Sequence, residues 1–234
     1  MREIVFDTET TGLSPQDGHR LVEFGALELV NRIETGRSFH AYFNPLRAMP
    51  SEAYAVHGLS DAFLAGKPMF AEIAGDLLEF IGDSPLVAHN AAFDFGFLNW
   101  ELGACGHPAV AIERMICTMM LARSRHPGAK HSLDALCTRY GVDRSQRVLH
   151  GALVDARLLC QVYVELTGGR QIGLVLIEAD DRPTGNNGLA EIRPVDRPYR
   201  AARPHGASAE ELARHAAFVA GLVDPVWRMA ASDR

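Results

Sequence analysis

The feature that most constrains this 234-residue chain is an apolar strand that runs into two carboxylates near the amino terminus. Ile4-Val5-Phe6 favours a buried strand, and Asp7 and Glu9 follow it at positions i and i+2. Because a strand points alternate side chains to the same face, the two carboxylates project together. Paired carboxylates repel each other unless a cation lies between them, so they predict half of a divalent metal site. An exposed strand end is the alternative, since a chain with 29 acidic residues contains such pairs by chance.

The order of the predicted elements indicates an α/β fold. Two further strands, at 21–30 and 39–43, follow the first and predict an antiparallel meander. Helices and short strands then alternate. The predicted helices are 50–57, 68–81, 90–102, one from 118, 132–140 and 151–166, and the predicted strands are 85–88 and 112–117. This order predicts a mixed sheet with helices packed on it, in a domain that ends near Gly169.

The composition changes after this domain. Residues 178–207 contain four prolines and the run Gly185-Asn186-Asn187-Gly188, which predicts a flexible linker. Residues 208–234 then predict a helical tail with one apolar face. A lone helix of this length is marginal in water, so we expect it to fold against a partner; packing on its own domain is the alternative. The apolar residues expected to contact that partner are Leu212, Val219 and Trp227.

Net charge and cysteine spacing indicate how this chain binds nucleic acid and in which compartment it works. The net charge of −6 argues against tight, unaided binding to a phosphate backbone. The four cysteines include no C-x-x-C pair, as expected of packed thiols in a reducing compartment. The chain enters its first strand without an apolar signal region and contains no apolar run of membrane-spanning length. We therefore expect a cytoplasmic protein with no membrane partner.

Two more acidic residues lie at the starts of predicted helices. Asp94 lies on the first turn of a helix, five residues after His89, and Asp155 opens the last long helix, five residues after His150. Open α/β sheets place their sites at such positions, although an Asp there also complements the helix dipole. Four converging carboxylates could hold two magnesium ions for in-line displacement at phosphorus, with a histidine taking a proton from water. The pattern predicts phosphodiester hydrolysis, and the spacing alone leaves open which histidine is catalytic.

Three motifs resemble those of a known family: 7–13 (Asp-Thr-Glu-Thr-Thr-Gly-Leu), 89–94 (His-Asn-Ala-Ala-Phe-Asp) and 149–155 (Leu-His-Gly-Ala-Leu-Val-Asp). They are similar to the exonuclease motifs of the DEDDh, or DnaQ-like, 3′–5′ exonucleases, and among these the proofreading subunits of bacterial DNA polymerase III. The resemblance covers residues 1 to about 177. It implies a ribonuclease H-like fold with a five-stranded sheet in residues 1–169. It also implies removal of mispaired nucleotides from a DNA 3′ end with two Mg²⁺ or Mn²⁺ ions.

The resemblance also assigns roles by position. It implies that Asp7, Glu9, Asp94 and Asp155 are the metal-binding carboxylates and that His150 is the general base. His89 then matches a motif histidine that is not the base. The resemblance further implies a pocket for the terminal nucleotide, although core packing is the alternative for two of its residues, the leucine and the phenylalanine. The residues expected to line this pocket are Thr10, Thr11, Leu13, His57 and Phe93.

Two segments beyond the domain resemble binding regions of the same subunits. Residues 170–177 contain a Q-x-x-L-x-L sequence similar to peptides that dock on the bacterial sliding clamp, with Gln171, Leu174 and Leu176 as the contact residues; a last strand is the alternative. The 208–234 tail is similar in placement to the segment that binds the polymerase alpha subunit. Two other functions stay open: a free-standing exonuclease acting on RNA ends or short oligonucleotides, and a mainly structural replicase scaffold.

Overall fold

The computed structural model describes residues 1–145, 147, 149–169 and 206–223, which fall into two units, one within 1–177 and one within 178–234. The larger unit contains a five-stranded sheet with helices packed on both faces. Its strands are β1 (Arg2–Thr10), β2 (Leu21–Val30), β3 (Ile33–Tyr42), β4 (Leu86–Ala88) and β5 (Met115–Cys117). The predicted α/β fold is confirmed.

The strands lie in the order β3-β2-β1-β4-β5, so β1 is at the centre of the sheet. β1 pairs antiparallel with β2 and β2 pairs antiparallel with β3, which confirms the predicted meander. β1 pairs parallel with β4, and β4 pairs parallel with β5, so the sheet is mixed. β4 pairs with Ile4 and Val5 only, whereas the pairing with β2 continues to the end of β1, so β2 fixes the carboxyl end of β1 on one side and the other side is left open.

The helices occur close to where the sequence predicts them. They are α1 (Ser51–His57), α2 (Asp61–Leu64), α3 (Phe70–Ile81), α4 (Ala91–Ala104), α5 (Thr118–Arg125), α6 (Leu133–Tyr140) and α7 (Ala152–Leu166). The short α2 is not predicted. The predicted strand at 112–117 is wrong in its first half, because Ile112–Arg114 forms a 3-10 turn.

The third strand is longer than predicted, since it begins at Ile33 and not at residue 39. A two-residue turn joins it to β2, with positive φ angles of 52° at Asn31 and 66° at Arg32. Such angles suit the twist of a tight hairpin. The first six residues of β3 are exposed and include charged side chains, so they lack the alternation that identifies a half-buried strand.

The core consists of two apolar clusters, one on each face of the sheet. Ile4 and Phe6 of β1 pack with α3 and α4, and Phe6 stacks on Phe24 with ring centroids 5.2 Å apart. Val5 packs on the other face with α6 and α7. Because side chains alternate along a strand, the positions of Asp7 and Glu9 continue the α7 side of β1.

The start of α7 lies against β2 with no space for a side chain between them. A Cβ atom added at Gly25 would lie 2.3 Å from the backbone nitrogen of Leu153. Only glycine therefore permits this distance between β2 and α7. The contact fixes the position of the first helical turn, which carries Asp155.

The second unit contains α8 (Ala209–Ala220), which begins at the predicted N-cap. The Ser208 hydroxyl accepts from the Glu211 backbone, and the Glu211 carboxylate accepts from the Ser208 backbone. Leu212 is 57% exposed. The predicted segment 170–177 and residues 178–205 of the predicted linker at 178–207 lie outside the described residues, as does Trp227. Within the described residues, every helix is too short or too polar to cross a membrane.

Candidate active site

A cavity of about 300 Å³ lies at the carboxyl end of β1. Five carboxylates from four separate elements line it. Asp7 and Glu9 come from β1, and Asp94 and Asp155 come from the first turns of α4 and α7. The fifth, Asp134, comes from the first turn of α6 and is not among the predicted ligands. The structure therefore brings together all four carboxylates that the sequence singles out.

A buried threonine joins the strand to the acidic residue of α4. The Thr8 hydroxyl donates a hydrogen bond of 2.7 Å to Asp94 Oδ1, and Asp94 is 3% exposed. Thr8 lies between the two β1 carboxylates in sequence but on the opposite face of the strand, where α4 packs. This hydrogen bond holds Asp94 at the end of the sheet, within the field of Asp7.

Burial raises the pKa of three carboxylates of this cavity, and repulsion from neighbouring carboxylates adds to the rise at Asp7 and Glu9. Burial, followed by repulsion from Glu23, Asp155 and Asp94, raises the pKa of Glu9 to about 8. Burial raises the pKa of Asp94 to about 7, although its hydrogen bond from Thr8 opposes the shift. Burial and the neighbouring carboxylates also raise the pKa of Asp7 well above its ordinary value. A cation in the cavity would remove this repulsion.

His150 lies in the loop before α7, as predicted, with its side chain 49% exposed. Its Nδ1 is 3.2 Å from Asp155 Oδ2. Its backbone nitrogen donates to the carbonyl of Val56, so α1 holds this loop in place. Glu9, His150 and Asp155 each offer a ligand atom, and the three atoms lie within 4.8 Å of one another.

His89 lines the same cavity but makes different contacts. Its Nδ1 is 2.9 Å from the Thr118 hydroxyl, which itself donates to the carbonyl of Ala88. The hydroxyl therefore accepts from His89, which fixes the tautomer with a proton on Nδ1. Burial lowers the pKa of His89. The structure brings both candidate histidines to the site, and it places His150 beside a carboxylate.

A second cavity, of about 570 Å³, adjoins the first and shares Thr8, Glu9 and Phe93 with it. This volume lies within the range of small-molecule sites. All five residues expected to bind the terminal nucleotide line it: Thr10, Thr11, Leu13, His57 and Phe93. The geometry places this group together, beside the carboxylates.

The individual side chains of this second cavity differ in their surroundings. Leu13 is 86% exposed, which excludes the core-packing alternative for it. Phe93 is half-buried and packs on Phe97 with ring centroids 5.1 Å apart, so it both supports the core and faces the cavity. His57 is 6% exposed, and its Nε2 has no hydrogen-bond partner within the described part of the chain. The Thr10 hydroxyl donates to the carbonyl of Gly12 and so holds the turn.

Two charged residues at the site are missing from the sequence prediction. Glu23 on β2 lies directly opposite Glu9, is 3% exposed and is 2.7 Å from His40 Nε2. Glu23 and Glu28 are the acidic residues of a largely apolar strand, and an acidic residue in such a strand is a signal that could have identified Glu23. Arg147 donates two hydrogen bonds to Asp155. Nothing in the sequence separates Arg147 from the other arginines near it.

The donor set of the first cavity fits a hard divalent cation. The four predicted ligand carboxylates supply only oxygen atoms, which Mg²⁺ and Mn²⁺ prefer. Three of these carboxylates have a raised pKa, so a cation bound among them would be stabilised by charge that the protein leaves largely uncompensated. The residues present therefore fit a metal centre.

Comparison with known proteins places the chain among nucleases. Residues 4–163 match the family model RNase T, described as exonuclease. A protein of Rickettsia felis named DNA polymerase III subunit epsilon is 48% identical over 226 residues, covering 95% of this chain and 97% of its own. The protein of that name in Escherichia coli K12 is 41% identical over 223 residues, covering 92% of this chain and 91% of its own.

Solved structures show the same fold. Exonuclease X in complex with 5′-overhanging duplex DNA is 27% identical, with a TM-score of 0.55, and the match covers 71% of this chain and 90% of that one. Exonuclease I is 15% identical, with a TM-score of 0.61, over 71% of this chain and 40% of that one. The second similarity concerns the fold alone.

Proposed function

We propose that this chain, which belongs to the RNase T exonuclease family and is a DnaQ-like 3′–5′ exonuclease, is the proofreading subunit of a bacterial DNA polymerase III. One observation carries the proposal: the epsilon-subunit relatives match over 226 residues, whereas the exonuclease family model ends at residue 163. A free-standing exonuclease does not need the region beyond the domain. A replicase subunit does, since it needs segments that bind its partners.

The substrate in this proposal is the 3′ end of a DNA strand. The terminal nucleotide occupies the second cavity, with Leu13, His57 and Phe93 around it, and its phosphate lies at the shared wall beside Glu9. A mispaired end frays more readily than a paired one, so it enters such a cavity more often. Selection of mismatches then follows from strand separation and needs no recognition of a particular base.

The carboxylates hold two divalent cations, Mg²⁺ or Mn²⁺, through Asp7, Glu9, Asp94 and Asp155. When bound, the ions supply a nucleophile at neutral pH and stabilise charge on the departing 3′ oxygen. His150 accepts the proton of the attacking water, because it lies at the open side of the site and beside Asp155. Thr8 keeps Asp94 oriented throughout. The product is a nucleoside monophosphate.

The partners in this proposal are the polymerase alpha subunit and the sliding clamp. The tail within 208–234 binds the polymerase through Leu212, Val219 and Trp227, and α8 carries the first two of these. Gln171, Leu174 and Leu176 bind the clamp, joined to the tail by the linker at 178–207. Partners that hold DNA account for a net charge of −6 in a protein that acts on DNA. A replication subunit of this kind works in the cytoplasm.

A mismatch assay tests the proofreading function. The full chain, mixed with Mg²⁺ and with primer–templates that differ only in the last base pair, should release the terminal nucleotide faster from the mispaired end. An RNA primer of the same sequence distinguishes a free-standing RNA exonuclease. Faster digestion of the RNA, or equal rates on paired and mispaired DNA ends, would contradict the proposal.

Co-purification tests the partners separately from the chemistry. Truncation after Leu176 should abolish co-purification with the alpha subunit while the rate on single-stranded DNA stays unchanged. Alanine at Gln171, Leu174 and Leu176 together should abolish clamp binding alone. A truncated chain that still binds alpha would show that the tail is not the docking segment.

A further inference from the structure

Arg147 is the positively charged side chain that pairs with a carboxylate of the candidate metal centre in this structure. It lies in the loop between α6 and α7, and its side chain is 11% exposed. Nε donates to Asp155 Oδ1 at 2.5 Å and Nη2 donates to Asp155 Oδ2 at 2.7 Å, so both oxygens of Asp155 are bound. This is the two-pronged geometry in which arginine binds a carboxylate most strongly.

The same guanidinium contacts the candidate base. Arg147 Nη2 is 2.7 Å from His150 Nδ1, and a guanidinium has only donors. Nδ1 therefore accepts this hydrogen bond, which leaves the ring proton on Nε2. In this arrangement neither nitrogen of His150 is available to take a proton from water. The one arginine thus occupies Asp155 and the lone pair of the base together.

The positive charge of Arg147 also reaches the rest of the centre. Within the described residues, it is the cation whose charge lowers the pKa of Asp7 and Glu9, while all their other neighbours raise it. It thereby supplies part of the compensation that a divalent cation would supply. Neither Asp7 nor Glu9 forms an ion pair with it. A bound metal would remove the repulsion that Arg147 only reduces.

Arg147 has a second carboxylate beside it, outside the four expected ligands. Its Nη1 donates to Asp134 Oδ1 at 2.7 Å, and Arg144 contacts the same oxygen at 2.9 Å. Asp134 is 52% exposed, at the start of α6. The guanidinium can therefore release Asp155 and remain paired. Its movement does not leave a buried, unpaired charge, which would be costly.

We propose that Arg147 is an exchangeable counterion, which holds Asp155 and His150 in the metal-free protein and keeps only its pairing with Asp134 when a divalent cation binds. Metal binding then frees both the fourth carboxylate and the base in one step. Without metal, Arg147 occupies Asp155 and His150, and its charge partly compensates the repulsion among the carboxylates. This inference rests on the proposed role of Asp155 as a metal ligand.

Binding of Mn²⁺ alone tests the proposal without any nuclease assay. Calorimetry on the full chain compares the wild type with Arg147→Gln and with Arg144→Gln. The second variant removes the same charge from the same loop but no contact to Asp155, so it measures the general effect of charge. Loss of a two-pronged, charge-assisted pair should tighten Mn²⁺ binding about tenfold in Arg147→Gln, against about twofold or less in Arg144→Gln.

Thermal unfolding gives an independent readout. In EDTA, Arg147→Gln should unfold at a lower temperature than Arg144→Gln, and saturating Mn²⁺ should remove the difference. If Arg147→Gln does not fold, Arg147→Lys serves instead. It keeps the charge but cannot bridge both oxygens of Asp155, so it should also bind Mn²⁺ more tightly than the wild type.

The outcomes separate this proposal from the proposed function. Equal Mn²⁺ affinity in the two glutamine variants, or weaker binding in Arg147→Gln, would overturn the exchange and leave the metal centre intact. A wild-type chain that binds no Mn²⁺ would overturn the metal centre itself.

Discussion

The two walls of the candidate metal centre solve the problem of buried negative charge in different ways. The first wall, built from β1 and α4, holds Asp7, Glu9 and Asp94 on regular structure and gives them no ion pair within the described residues. The second wall, built from the first turn of α7 and the loop before it, pairs Asp155 with Arg147. The carboxylates of the first wall therefore still repel one another, whereas Arg147 neutralises the charge of Asp155 in the second wall.

The comparison shows which part of the centre is rigid. The first wall lies at the central strand of the sheet, where pairing with β2 fixes Asp7 and Glu9 and the Thr8 hydrogen bond fixes Asp94. The second wall depends on a loop that touches α1 through one backbone hydrogen bond of His150. The first wall, whose charge is fixed and uncompensated, therefore favours binding of a cation. The second wall can adjust to that cation, because Asp155 can exchange Arg147 for it.

The largest expected effect comes from removing one charge of the first wall. Asp7→Asn should lower the rate of Mg²⁺-dependent digestion of single-stranded DNA about 10³-fold or more, because metal coordination supplies several kcal/mol to the reaction. The same change should raise the melting temperature in EDTA, since it removes repulsion. Asp76→Asn, on the exposed side of α3, is the matched control and should change neither quantity.

A variant with unchanged digestion would show that Asp7 holds no metal. If Asp7→Asn lowered the melting temperature in EDTA, the carboxylates of the first wall would not repel one another in the folded protein. The contrast between the two walls would then be lost.

The two histidines test the second wall. His150→Ala should lower kcat about 10²-fold to 10³-fold, the usual contribution of a general base. His89→Ala should have a much smaller effect on kcat, because its Nδ1 is held by Thr118 and serves to pack the site. The measurement is kcat at saturating DNA over pH 6 to 9. If His89→Ala lowered kcat more than His150→Ala, His89 and not His150 would be the general base.

The backbone contact between β2 and α7 is a structural link between the walls. Gly25→Ala should lower the free energy of unfolding by about 1–3 kcal/mol, because the added Cβ overlaps the backbone of α7. It should also reduce activity, since Asp155 moves with the helix. Gly75→Ala in α3 is the control, where a Cβ meets nothing within 4 Å and should be neutral or stabilising.

If Gly25→Ala matches Gly75→Ala in chemical denaturation, the close approach of β2 and α7 is not required. A destabilised Gly25→Ala variant with full activity would instead separate the stability of α7 from the placement of Asp155.

The last expected effect is a change of stability with pH, which leaves the sequence and the rate of digestion untouched. The pKa of about 8 at Glu9 and about 7 at Asp94 lie above the ordinary values of 4.5 and 3.8. The folded metal-free protein therefore holds protons that the unfolded chain has lost, so stability falls as pH rises from about 5 to 8. Melting temperatures in EDTA should show this fall, and Mg²⁺ should reduce it. A flat profile in EDTA would mean that the first wall is better compensated than its contacts indicate.

The sequence predicts the first wall better than the second. Alternation along a strand places Asp7 and Glu9 together, and helix-start signals place Asp94 and Asp155, because both follow from local backbone geometry. The role of Arg147 depends on the path of an irregular loop, which has no periodicity to read. The contact at Gly25 is likewise tertiary, and nothing near it in the chain indicates how close α7 lies.

The fold shows the same limit. The buried strands and the capped helices are predicted, because apolar runs and capping residues identify them. The first half of β3 is missed, since Glu34 to Arg37 face solvent at the edge of the sheet and their composition is that of a loop. Roles assigned by position, such as those of Gln171 and Trp227, depend on partners and stay predictions.

The exposed half of β3 has a consequence for handling the protein. An unpaired edge strand of ten residues offers free backbone groups to a neighbouring molecule, which is a route to aggregation. Here that edge carries Glu34 and Arg37 and contains a glycine, and such an edge disfavours the addition of another strand. Substitution of these residues by β-branched apolar ones would favour fibrous precipitation at high concentration, so a segment remote from the candidate active site would limit how far the protein can be concentrated.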